Sequence, residues 1–314
     1  MAESTKDVNA GTLALGKRRS FLADLLIRLV KEKPLGTVGA VIVLILLFVG
    51  IFANWLAPYG YNETWVGNKL EAPSIKFWMG TDNVGRDLMS RIIYGARISM
   101  FVGLGASAIG CILNAIIGLI SGYIGGKTDL IIQRFVDAWV CFPFLFLLLT
   151  FMALIGAGTV QVILVLGISG GIGGSRLMRS AVIAVKSNLY VESAKAIGTP
   201  TASILIRHIL PNVMAPLIIM FTMGVGSSIL AEASISFLGY GIPPPVPSWG
   251  GMLSGSSRTF MLQAPWMAIF PGLALSIVVY GVNMFGDALR DLLDPRLRGG
   301  LGRYSGNPRK KPKK

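Results

Sequence analysis

From Ala138 to Ser175 the chain runs 38 residues without one charged side chain. In lipid every backbone N–H and C=O must find its partner inside the segment, which leaves the helix as the natural state of such a run. A hydrocarbon core of about 30 Å is crossed by roughly 20 helical residues, so this stretch is too long for one crossing. Gly156-Ala157-Gly158-Thr159 divides it into two. Four further runs meet the same length requirement, and the expected spans are residues 35–57, 98–124, 135–156, 159–184, 212–238 and 265–289. The expected fold is therefore all-α, a polytopic integral membrane protein with six transmembrane helices. Its membrane domain covers 35–298, between an N-terminal segment 1–34 and a basic tail 299–314. The first span lacks a small-residue cleavage site and reads as a retained helix.

With 53% apolar residues against 14% charged ones, the soluble enzyme classes fall away. A net charge of +14 would suit nucleic acid if it formed a stripe, but the basic residues flank apolar runs instead. Of the 29 Lys and Arg residues, 23 fall in segments that six crossings place on one side with both termini. Basic residues are retained on the cytoplasmic face, so both termini, Lys127 and the loop 176–211 are expected inside. The tail Pro308–Lys314 is read as a basic stretch near anionic headgroups, not as a nucleic-acid site. Cys111 and Cys141 lie within apolar runs as small buried hydrophobes, and one histidine, His208, without a CxxC pair supplies little for a metal.

Two outer segments stand out. Residues 58–97 are polar, then become helical near Asp87 as an interfacial approach to the second span. Residues 239–264 carry Pro243, Pro244, Pro245 and Pro247 ahead of Ser248-Trp249-Gly250-Gly251, a stiff connection with Trp249 as an interfacial anchor. Both segments are either contacts for an extracytoplasmic protein or turns that anchor the bundle.

On the inner side the connection between spans four and five is about 35 residues long and has helical periodicity, unlike a linker. Glu192-Ser193-Ala194-Lys195-Ala196-Ile197-Gly198 reads as a short helix closed by a glycine suited to the left-handed C-cap. Thr199, Thr201 and Ser203 offer N-cap hydroxyls to a second helix reaching Pro211. Small side chains let another backbone approach, with Glu192 and Lys195 at the rim. The alternative is an amphipathic loop lying on the membrane.

Glu192, Ala194, Gly198, Leu210 and Pro211, at these spacings, resemble the EAA loop of ATP-binding-cassette importer permeases. Gly80-Thr81-Asp82-Asn83-Val84-Gly85-Arg86-Asp87, Ser90-Arg91, Tyr94 to Ser99, Arg207 to Asn212, Glu232 to Gly239 and Pro243 to Gly251 narrow the resemblance. They are similar to the C-type permease subunit of dipeptide and oligopeptide importers, a family that also carries nickel and glutathione. The resemblance implies a type I importer permease (MetI-like) fold and half of a pore for short peptides, completed by a second permease. It also implies two cytoplasmic ATPase subunits holding ATP and Mg, and an extracytoplasmic substrate-binding protein. The chain itself is expected to be non-catalytic and to bind no cofactor. ATPase coupling falls to Glu192, Ser193, Ala194, Lys195, Ala196, Gly198, Arg207, Leu210 and Pro211. The binding-protein contact or outer gate falls to Gly80, Asp82, Gly85, Arg86, Asp87, Arg97, Gly239, Pro244, Trp249 and Gly250. Gly170, Gly171, Gly173 and Gly174 depart from the family pattern, which more often has aromatic residues there, and leave the packing of span four open.

Gly122-Tyr123-Ile124-Gly125-Gly126-Lys127-Thr128 fails as a phosphate loop, because Ser121 stands where the pattern needs glycine. Gly167-Ile168-Ser169-Gly170 looks like the motif of intramembrane serine proteases, but the one candidate base, His208, lies in the inner loop beyond span four. An autonomous channel leaves the long inner loop unexplained. Charges within spans are costly and so functional suspects. Glu232 either faces the translocation path or forms a structural pair; Asp137 is expected to pair with Arg134, and Asp287 with Arg290 and Asp291 in an exit network.

Overall fold

The computed structural model describes residues 21–293, and within them the chain is helical with a single isolated β-bridge, Thr81 to Asp87. The expected basic tail and the first 20 residues lie outside the described residues. Helix α1 (Phe21–Glu32) precedes α2 (Pro34–Ile51) and the short α3 (Ala53–Leu56). Next come α4 (Leu88–Ile124), α5 (Gly126–Cys141), α6 (Phe144–Ile155) and α7 (Thr159–Lys186). Then follow α8 (Leu189–Ala196), α9 (Thr201–Ser203), a π turn (Ile204–Ile209), a 3₁₀ turn (Leu210–Val213) and α10 (Met214–Phe237). Helices α11 (Trp249–Leu253), α12 (Ser256–Phe260) and α13 (Trp266–Leu293) complete the chain.

Among the described residues five helical stretches are long and apolar enough to cross a membrane. The expected third span is different: α5 and α6 meet at 90°, so residues 135–156 form a broken element and not one straight helix. Pro143 explains the break. It has no N–H to continue a helix, and it holds Phe142 in the extended region at φ −77°, ψ 135°. Cys141, at that corner, is exposed and not buried as its apolar setting suggested. The expected approach helix and second span are one unbroken helix, α4, of 37 residues. Asp87 starts it: its carboxylate accepts the Ser90 N–H at 2.8 Å, an N-cap bond.

Helix α4 is the central post. It packs along α7 through small residues: a Cβ at Gly167 would sit 2.7 Å from Ile109, and one at Gly171 would sit 2.7 Å from Leu113. This settles the glycine run of span four. Gly171 and Gly174 face α4, whereas Gly170 and Gly173 face open space. Helices α2 and α13 pair in the same manner, with Gly39 against the Gly281 carbonyl. The outward faces of the spans carry Leu44, Ile112, Leu164 and Tyr280, all exposed, as helices solvated by lipid require. One end of the bundle, here the terminal end, gathers α1, α8 and the last turn of α13. The far end gathers the segments 57–87 and 238–265.

Candidate functional site: the α8 elbow and the far-end cap

Helix α8 closes as its sequence dictates. Gly198 adopts φ +79°, its N–H donates to the Lys195 carbonyl at 3.0 Å, and the Thr199 N–H donates to the Ala194 carbonyl at 3.1 Å. These two bonds form a Schellman cap, which needs the left-handed conformation glycine enters without penalty. The expected second helix does not stop at Pro211. After α9 the backbone widens into the π turn, with the Leu210 N–H bonded to the Leu205 carbonyl, then tightens over Leu210–Val213 and continues into α10. Pro211 accounts for this irregularity, because its ring crowds the carbonyl four residues back and it offers no N–H.

The elbow has a buried side and a free side. Val191, Ala194, Ile204, Ile209 and Val213 pack with Met178, Val182 and Leu217, joining the elbow to α7 and α10. Glu192, Ser193, Lys195, Ala196, Arg207 and Pro211 are exposed, and Leu210 is half-buried. Beside them Leu189, Ile197 and Ile206 are 79%, 83% and 63% exposed, an apolar surface among charges that the sequence reading passed over. Their apolar character was visible, but that the fold of the elbow leaves them on its free side was not. An open cleft runs along the elbow, lined by Tyr123, Lys186, Glu192, Lys195 and Thr201.

A charged clamp, also missed, ties the helices beneath the elbow. Arg179 on α7 donates to both oxygens of Asp129 on α5, at 2.6 and 2.5 Å, and Ser121 at the end of α4 donates to the same carboxylate. A bidentate guanidinium–carboxylate pair fixes orientation as well as distance. Replacing Asp129 with Asn is expected to cost about 1 kcal/mol, given the partial exposure of both groups. Thermal unfolding of the purified protein should show it as a midpoint lower by about 2–4 °C.

At the far end, residues expected to form an outer contact turn inward. Asp82 Oδ1 accepts the N–H groups of Val84 and Arg86, while Oδ2 lies 2.6 Å from Arg86 Nε. Gly80 and Gly85 take φ +78° and +73° to shape that turn. Arg97 donates to the carbonyls of Gly50 and Ile51, capping α2. Trp249 is not an interfacial anchor: it is 2% exposed, its indole N–H donates to the Ile92 carbonyl at 3.1 Å, and Gly95 leaves room for its ring. Gly250 is buried against Ala233, and Asp82 and Asp87 are each 4% exposed. Gly239 caps α10 at φ +90°, repeating the Gly198 arrangement. Gly239 and Pro243 to Pro245 remain exposed there, and so do the large apolar side chains of Trp65, Ile75, Trp78 and Leu262.

Glu232 on α10 is wholly buried and accepts from Ser236 Oγ at 2.6 Å; its other oxygen has no partner among the described residues. It forms no ion pair among them. Asp137 lies 3.6 Å from Arg134, as expected, and also accepts from Arg176 on α7. The expected network of Asp287, Arg290 and Asp291 is replaced by another pairing: Asp291 meets Lys33 at 2.5 Å, across the start of α2, while Asp287 and Arg290 are exposed. The turn at Lys33–Pro34 brings Lys33 to α13, a proximity sequence spacing does not encode. Ser169, of the protease-like motif, is buried within α7.

A helical bundle with spans apolar enough for lipid and an irregular, partly free elbow between two of them defines a polytopic membrane protein, and comparison with known proteins gives the family. The model of the binding-protein-dependent transport system inner membrane component matches residues 114–299, and that of the N-terminal TM domain of oligopeptide transport permease C matches residues 20–73. The chain belongs to the first of these families and is the permease subunit of an ATP-binding-cassette importer, a multi-pass inner-membrane protein. It is 40% identical over 85% of its length, and 88% of the relative's, to the dipeptide transport system permease protein DppC of Alkalihalophilus pseudofirmus. It is 38% identical to the glutathione transport system permease protein GsiD of Escherichia coli O157:H7, over 86% of its length and 89% of the relative's. A chain of the MetNI methionine ABC transporter in inward-facing conformations shares the fold, at TM-score 0.53 and 16% identity, covering 66% of this chain and 98% of that one. Such a subunit is not itself catalytic: hydrolysis of ATP belongs to separate subunits of the importer.

Proposed function

We propose that this permease forms half of a translocation pore for short peptides, paired with a second permease and driven by two cytoplasmic ATPases. ATP and Mg reside on those ATPases, and an extracytoplasmic binding protein delivers the cargo at the far end. The terminal end faces the cytoplasm, in agreement with the excess of Lys and Arg in its segments. The observation that carries the mechanism is the elbow. Its free face offers Ile197, Leu189 and Glu192 to a partner, while its buried face is packed into the ends of α7 and α10. Movement of an ATPase against α8 is thereby passed to two spans as a rigid displacement, biasing the bundle between inward and outward openings.

Peptide cargo is supported by the relatives named for dipeptide and glutathione transport, glutathione being itself a tripeptide. The complete importer in proteoliposomes is expected to accumulate labelled di- and tripeptides only with ATP inside the ATPase compartment and the loaded binding protein on the opposite face. Accumulation of nickel alone, with no peptide moved, overturns the assignment of cargo and leaves the coupling scheme standing.

A further inference from the structure

At the far end Asp82, Arg86, Arg91, Pro244, Gly251 and Ser254 line a cleft open to one side. Two guanidinium groups share this space with one carboxylate. That carboxylate is already committed: Asp82 accepts two backbone N–H groups and the Nε of Arg86, and Arg91 Nε stands off at 3.9 Å. Arg91 is 8% exposed, and its Nη1 donates to the Tyr61 carbonyl at 2.8 Å and reaches the Pro245 carbonyl at 3.5 Å. Nη2 of Arg91 and both terminal nitrogens of Arg86 have no acceptor among the described residues. The cleft therefore holds an excess positive charge and unused donors, arranged on planar forks that match a two-oxygen anion. Burying that charge is costly until an anion arrives, which gives such a ligand a differential hold on the folded cap.

We propose that this cleft is a carboxylate-binding site, with Arg86 and Arg91 as the ligating groups. The carboxylate comes either from the C-terminus of a peptide or from an acidic side chain of the docked binding protein, and the chemistry is the same. The inference adds a ligand to the function proposed above, and its first arm is independent of transport.

The test uses the assembled importer in nanodiscs, with trialanine, trialanine amide and the binding protein as probes. Ser254→Glu places a tethered carboxylate in the cleft; Ser254→Gln is its neutral control; Arg86→Gln removes a donor. If the source is a peptide, trialanine binds at least tenfold more tightly than its amide, and both Ser254→Glu and Arg86→Gln erase the difference while Ser254→Gln keeps it. If the source is the binding protein, trialanine and its amide bind alike, and docking weakens at least tenfold in the same two variants only. Ser254→Glu leaving both measurements unchanged overturns the proposal, even where Arg86→Gln fails to assemble. A failure of the function reading shows instead as absent peptide uptake with the carboxylate preference intact.

Discussion

Gly198→Val is expected to abolish ATP-driven uptake while leaving the permease folded and in the membrane. Gly198 sits at φ +79°, and a Cβ there would meet nothing within 4 Å, so the first added carbon has open space. Its cost is conformational: a β-branched residue in the left-handed region loses about 1–2 kcal/mol, enough to give up the Schellman cap. The chain after α8 then leaves α8 along another direction, and the exposed face carrying Glu192 and Ile197 no longer has a fixed orientation relative to α10. Uptake by the reconstituted importer should fall at least tenfold, with ATPase activity no longer responding to the loaded binding protein. Gly198→Asn separates conformation from any other cause, because Asn visits the left-handed region more readily than other residues with a side chain. Activities in the order Gly, Asn, Val are expected; Asn behaving like Val would show that backbone conformation is not what the elbow needs.

The second large effect is on stability. In Gly250→Ala the new methyl carbon would lie 2.2 Å from the Ala233 carbonyl oxygen and 2.4 Å from its Cα. Both are backbone atoms of α10 and cannot swing aside as a side-chain tip can, so α11 must be pushed away from the bundle. Overpacking costs about 1–3 kcal/mol, and contacts this short with backbone atoms put Gly250→Ala at the upper end. Displacing α11 also draws Trp249 from its bond to the Ile92 carbonyl. Monodisperse protein recovered in detergent should drop severalfold, with a large fall in thermal midpoint. Gly272→Ala is the matched control, since its Cβ would make an ordinary 3.7 Å contact with Leu253. Equal recovery of the two variants would contradict the packing described for the cap.

The far-end cap shows where reading the sequence alone stops. The run from Gly80 to Asp87 is distinctive enough to single out, yet its carboxylates are turned into the cap, with Asp82 and Asp87 buried, and the half-buried Arg86 lines the cleft. A motif rich in charge looks the same on paper whether it faces a partner or closes a turn. Only the hydrogen bonds from Val84 and Arg86 to Asp82 separate the two. The same holds for Trp249, whose place is set by the absence of a side chain at Gly95 in a different helix.

Apolar length, the break at the Gly156–Thr159 cluster and the elbow at Gly198 were written in the sequence, because each depends on a residue's own chemistry or on neighbours a few positions away. Thus α7 begins at Thr159, after the glycine cluster, and Gly198 takes the conformation its position demanded. The right-angle corner at Phe142–Pro143, the Asp129–Arg179 clamp, the Lys33–Asp291 pair and the two arginines facing one cleft were decided by tertiary structure. Each of those pairs, and the corner's angle, depends on how separate helices approach and rotate against one another. That relation is fixed by which glycine faces let backbones close together, and it leaves no periodic trace in any single segment.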